Sequence, residues 1–150
     1  MCIRDSNGRT RTTYRYHYND IIVVKVLEDG SIEWAEKIPK VQISTNDSGF
    51  YSSYNLSVVR DKLYFVFNDN PKNLTNQGDG KLKNYLLNKE SLVVLVTMNQ
   101  KGEQVKEALF DAREAEVYIR PKVGKQTGFS ETILFGQKKK KQRLAKVKFK

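Results

Sequence analysis

Ile21–Ile38 reads IIVVKVLEDGSIEWAEKI. An apolar run of six residues leads into Leu27-Glu28-Asp29-Gly30-Ser31, and a second run opens at Ile32-Glu33-Trp34. Asp-Gly between two apolar runs is the strongest short-range hairpin signal, because glycine takes the positive φ of a tight turn at no steric cost. The stretch therefore predicts two antiparallel strands. Apolar residues on both faces of Ile21–Val26 predict an inner strand covered on each side. Pro39 closes the unit, since it donates no ladder hydrogen bond.

The same pattern recurs downstream. Residues 92–110 read LVVLVTMNQKGEQVKEALF, and residues 131–149 repeat the unit more loosely as ETILFGQKKKKQRLAKVKF. Residues 54–69, YNLSVVRDKLYFVFND, form a further hairpin with its turn at Asp61-Lys62. One segment is ambiguous: Val105, Ala108, Leu109 and Ala112 fall at helical spacing. The match with the first hairpin favours a strand through Phe110, with a helical turn over 111–116. Two further strands are expected, at 116–120, closed by Pro121, and at 131–135. Tyr14, Tyr16 and Tyr18 alternate with Arg15, His17 and Asn19, which predicts one strand over 12–19 with the tyrosines on one face. Asn46-Asp47-Ser48-Gly49 and Asn68-Asp69-Asn70-Pro71 are turn clusters. Residues 72–90 are polar and read as a long loop, with a short helix at 84–88; long loops in compact domains are often functional.

The fold class expected is all-β: antiparallel hairpins arranged as two to three blades of a partial β-propeller, over residues 12–150. Blades of about 40–50 residues, each a small antiparallel sheet, carry that signature. Three strings, YNDIIVVKVLEDGSIEWAEKIPK (18–40), NDSGFYSSYNLSVVRDKLYFVFNDNPKN (46–73) and SLVVLVTMNQKGE (91–103), resemble the C-terminal region of uncharacterised bacterial propeller-like proteins. The resemblance implies a propeller fold and an extracellular or cell-envelope location, and it carries no catalytic residues across. Met1-Cys2-Ile3-Arg4-Asp5-Ser6 resembles a translated sequencing adapter of the kind found at the start of truncated metagenomic reading frames. Residues 1–11 are accordingly expected to be non-native or disordered, with further blades and a signal peptide upstream.

The formal net charge is +10, and its placement matters more than its size. Eight basic residues and no acids lie between Lys138 and Lys150; without them the chain carries 19 basic and 17 acidic residues. The basic character belongs to one terminal segment. No stretch approaches the about 20 apolar residues of a membrane span. Cys2 is the one cysteine and His17 the one histidine, so neither an intramolecular disulfide nor a multi-histidine metal site can form.

Candidate sites follow from these features. Lys138, Lys139, Lys140 and Lys141 can bind phosphate backbones, but base stacking needs exposed aromatics, and only Phe149 is near in sequence. A solvated turn protecting an edge strand accounts for the same lysines and is the preferred reading. Tyr14, Tyr16 and Tyr18 can stack on sugars or bases, against ordinary cross-strand packing. Asn68, Asp69, Asn70 and Asp79 can offer oxygen ligands to Ca²⁺, but lack EF-hand spacing and are standard turn residues. His17 has no partner base or nucleophile that the sequence can place beside it. Walker loops, dinucleotide fingerprints, G-x-S-x-G and H-E-x-x-H are absent. The function expected is a non-catalytic binding or scaffold propeller, using no cofactor, with protein or carbohydrate bound at a propeller face. The alternatives are a carbohydrate-active propeller enzyme and nucleic-acid binding through the basic segment.

Overall fold

A computed structural model of the chain describes residues 2–4, 8–75 and 80–150. Its strands are β1 (Cys2–Arg4), β2 (Thr10–Thr12), β3 (Arg15–His17), β4 (Ile21–Val26), β5 (Ile32–Ile38), β6 (Ile43–Thr45), β7 (Asn55–Val59) and β8 (Lys62–Asp69). A helical turn α1 (Lys72–Thr75) precedes β9 (Leu92–Met98) and β10 (Gln104–Asp111), and α2 (Ala112–Ala115) follows. The chain continues through β11 (Tyr118–Ile119), a 3-10 turn (Pro121–Val123), β12 (Lys125–Gly128), β13 (Glu131–Lys138) and β14 (Lys141–Lys148). The architecture is all-β, every pairing is antiparallel, and none of the sheets closes on itself.

The centre is a four-stranded meander in the order β7-β8-β9-β10. Side chains alternate across a strand, and β8 and β9 use both sides. Phe65 and Phe67 share one face with Val94, Val96 and Met98, while Tyr64 and Val66 share the other with Val93 and Leu95. The β4–β5 hairpin covers the first face with Ile21, Val23, Trp34 and Ile38. The sheet of β11, β12, β13 and β14 covers the second with Ile119, Leu134, Ala145, Val147 and Phe149. Phe149 stacks on Tyr64 at 4.3 Å between ring centroids. The result is three stacked layers. Each fully buried Phe or Val of the middle layer contributes about 1.5–3 kcal/mol.

The turns are set by glycine where the backbone demands it. Gly30 has φ +84° in the β4–β5 turn, where Asp29 Oδ1 also accepts from the Ser31 amide at 2.9 Å. Gly102, at φ +81°, closes β9–β10 against β5: a Cβ there would meet Glu36 Cγ at 2.8 Å and the Trp34 ring at 3.2 Å. Trp34 Nε1 donates to the Gln100 carbonyl in the same turn at 3.0 Å, tying the first layer to the second.

Several expectations change. The strand expected over 12–19 is broken: β2 ends at Thr12, β3 starts at Arg15, and Asn46 Oδ1 takes the Tyr14 amide at 2.9 Å. Ile21–Val26 is not an inner strand; β4 pairs with β5 alone, and Ile22, Val24 and Val26 face outward. The helix expected at 84–88 does not form, because Asn84 and Tyr85 bond sideways to Ile43 and Val41. The turn expected at Asp61-Lys62 falls at Arg60-Asp61, with Arg60 at φ +51°. The strand expected at 116–120 shrinks to β11, because Glu116 is left-handed at φ +59°. The ambiguous segment is strand through Asp111 and then helical, capped by Asp111 Oδ1 on the Glu114 amide. In the segment 1–11, β1 and β2 pair as a short ladder. Gly78 and Asp79, within the expected loop, lie outside the described residues.

Candidate functional site

The turn cluster Asn68-Asp69-Asn70 lies in the interior rather than on the surface. All three residues are buried, and Asp69 has no exposed area. β8 carries the chain inward through Asp69, so these side chains look for partners inside the fold, and all but the Asn68 Oδ1 find them. Asn68 Nδ2 donates to the carbonyls of Tyr51 (2.8 Å) and Ile119 (2.9 Å). Asp69 Oδ1 accepts from the Asn70 amide at 2.8 Å and from Asn73 Nδ2 at 2.7 Å; its Oδ2 takes Lys106 Nζ at 2.5 Å. Asn70 reaches the Asn84 carbonyl and the Lys72 amide. Both Asp69 oxygens are thus engaged by donors, one of them a cation, which leaves this carboxylate unsuited to Ca²⁺. Among the described residues no group of three His, Cys, Asp or Glu side chains comes together as a metal site.

Lys40 adjoins this interior network, only 1% exposed. Its Nζ donates to the Tyr18 carbonyl and to Gln42 Oε1 at 2.9 Å, and lies 5.9 Å from the Phe67 ring centre. Gln42 passes the contact on, donating to the Asn68 carbonyl at 2.9 Å. Burial pushes the Lys40 ammonium down to about 8, with Asp69 and Asp20 pulling it back up. Sequence reasoning missed this residue: a lysine after a proline carries no sign of burial.

The tyrosine ladder is split. Tyr14 is exposed beside the strand break, while Tyr16 and Tyr18 are half-buried. The Tyr18 ring packs over Gly49, and Lys122 Nζ sits 4.5 Å from its centre while donating to its hydroxyl at 3.1 Å. His17 is exposed in β3, paired with Ile43.

The basic run lies on a hairpin, β13–β14, as expected, but the strand expected at 131–135 runs on to Lys138 and the turn narrows to Lys139-Lys140. Lys141 and Arg143 both pair with Glu116, which holds the Glu116 carboxyl below its ordinary range through their hydrogen bonds and charge. Lys138 does something different. Its Nζ lies 5.4 Å from the centre of the Tyr118 ring, and Tyr118 meets Tyr51 edge-on at 5.7 Å. Two residues along, the Arg120 guanidinium sits 4.4 Å from the Phe50 ring centre and 5.8 Å from that of Phe135, while its Nη1 donates to Gln137 Oε1. The outer face of the terminal sheet is therefore a field of aromatic rings with cations laid on them. The structure sets Lys122 on the ring of Tyr18 and Lys138 on the ring of Tyr118. It also adds Phe50, Tyr118, Arg120 and Phe135; the i, i+2 spacing of Tyr118 with Arg120 and of Phe135 with Gln137, which sets each pair on one face of a strand, is the sequence signal for the last three.

The opposite outer face of the stack is apolar. Ile22, Val24, Val26 and Ile32 are 61%, 44%, 57% and 65% exposed on the β4–β5 hairpin. Among the described residues no helix is long and apolar enough to cross a membrane. Comparison of the chain with protein-family models, with curated proteins and with solved structures finds no match.

Proposed function

We propose that this chain is a non-catalytic binding or scaffold unit whose antiparallel sheets stack face to face in the manner of propeller blades, and that the outer face of β4–β5 receives a further antiparallel sheet. The observation that carries this reading is the row Ile22, Val24, Val26 and Ile32, exposed on a hairpin whose other side is core. A contiguous apolar patch marks an interaction site more often than a chance surface, and a two-stranded sheet is marginal without cover. The occupant is a sheet because the row repeats at period two. That is the pattern with which Phe65, Phe67, Val94 and Val96 receive β4–β5 itself.

The test is sedimentation of the full chain over a range of concentrations, beside an Ile22→Lys/Val24→Lys double variant. The wild type is expected to self-associate through this face and to bind an apolar-surface dye. The variant is expected to stay monomeric with unchanged circular dichroism, since both positions are solvent-facing. A wild type that is monomeric throughout and does not bind the dye overturns the reading.

A further inference from the structure

The aromatic and cationic face of the terminal sheet lies on the other side of the stack and has its own chemistry. Alternate residues of a strand share a face, so Tyr118 and Arg120 point the same way as Phe135 and Gln137, which stand opposite them across the β11–β13 pairing. Phe50, 49% exposed, extends this face from the neighbouring 46–54 segment. Among the described residues none of Lys122, Lys138, Lys139 and Lys140 reaches a carboxylate, and the adjacent Glu116 is already taken by Lys141 and Arg143.

Unneutralised cations beside ring faces complement a chain of anions that also carries planar groups. Arg120 displays the geometry in miniature: a flat guanidinium lies between Phe50 and Phe135. A neutral sugar would need free carboxylate or amide acceptors around the rings, and here Glu116 and Gln137 are both occupied. A duplex keeps its bases stacked inside, where such rings cannot reach them. We infer that this face binds single-stranded nucleic acid, with Phe50 and Tyr118 as stacking platforms and Lys122, Lys138, Lys139 and Lys140 on the phosphates. The aromatics that the basic run lacks in sequence are supplied by β11, β13 and the 46–54 segment. This inference is independent of the sheet-stacking face.

The experiment is fluorescence anisotropy of the full chain with labelled oligo(dT) and oligo(rU) at several salt concentrations. The competitors are an abasic phosphodiester of equal length, heparin and a duplex. Oligo(dT) is expected to bind more tightly than the abasic chain and the duplex. Phe50→Ala is expected to weaken it about fivefold or more, as loss of a base–aromatic stack does. Phe50→Leu, which keeps the apolar cover over Arg120 but removes the ring, is expected to do the same, so that a folding defect in the alanine variant does not decide the outcome. A Lys138→Gln/Lys139→Gln/Lys140→Gln variant is expected to flatten the log–log salt dependence by about 2. Absence of binding at low salt overturns the inference. So does equal affinity for heparin, the abasic chain and oligo(dT) with no effect of either Phe50 variant, which would make the face a site for a sulfated polysaccharide.

Discussion

Lys40 makes the stability of this fold depend on alkaline pH in a direction that can be worked out. Below about pH 8 the folded chain holds a proton on an ammonium that burial has stripped of most of its water, whereas the unfolded chain holds the same proton freely up to its ordinary value of 10.5. The charged form thus costs the folded state relative to the unfolded one. Between those two values the folded chain releases the proton first, so the cost shrinks as pH rises. Each tenfold difference in proton affinity between the folded and unfolded chain is worth about 1.4 kcal/mol, so the full window amounts to about 3 kcal/mol. Tyr51 and Tyr85 act with the opposite sign: burial raises both phenols, so the folded state keeps their protons longer and loses stability above about pH 10. Comparison with Lys40→Met removes them, because both proteins carry the same tyrosines. The assay is urea unfolding of the two proteins at a series of pH values. The unfolding free energy of the wild type relative to Lys40→Met is expected to rise by about 2 to 3 kcal/mol between about pH 7 and about pH 10. Profiles that run parallel across that range would refute the reasoning and place the Lys40 ammonium in contact with water.

Two further substitutions probe the packing of the terminal sheet. Gln126 uses its amide to take the Val58 N–H and give to the Val58 carbonyl, both at 3.0 Å, so Gln126→Ala is expected to lower the unfolding free energy by about 1 kcal/mol in a denaturant titration. A Cβ on Gly136 would collide with Val117 Cγ2, so Gly136→Ala is expected to cost about 1–3 kcal/mol. Val117→Ala in the same chain is expected to recover part of that loss, and the paired melting curves check it.

The strands of the middle layer were legible as strands. Leu63–Phe67 and Leu92–Val96 are short apolar runs bounded by turn residues, and that both of their faces are covered emerges only in the structure. Ile21–Val26 shows the same apolar density, yet only Ile21 and Val23 meet the core. Composition alone does not distinguish a strand covered on both faces from one covered on a single face. Asn68-Asp69-Asn70 misled for a different reason. Asn and Asp serve turns and also bury themselves by bonding backbone, and what decides is the company of Lys106 and Ile119, which comes from distant sequence. The cation and ring pairs were invisible on the same ground: Phe50 and Arg120 lie 70 residues apart in the chain and 4.4 Å apart in space.

The side-chain amides that lie along strand edges have a consequence for association. Gln126 on Val58 is not alone: Asn84 accepts from the Ile43 amide at 2.7 Å and donates to its carbonyl at 2.9 Å. A carboxamide carries both halves of a peptide group's hydrogen-bonding signature, so each of these residues acts as a one-residue strand already seated on the edge. A strand arriving from another molecule must displace a tethered competitor, whose effective concentration on a short tether is in the millimolar range. Edge pairing at Val58 and Ile43 is therefore disfavoured by competition rather than by charge.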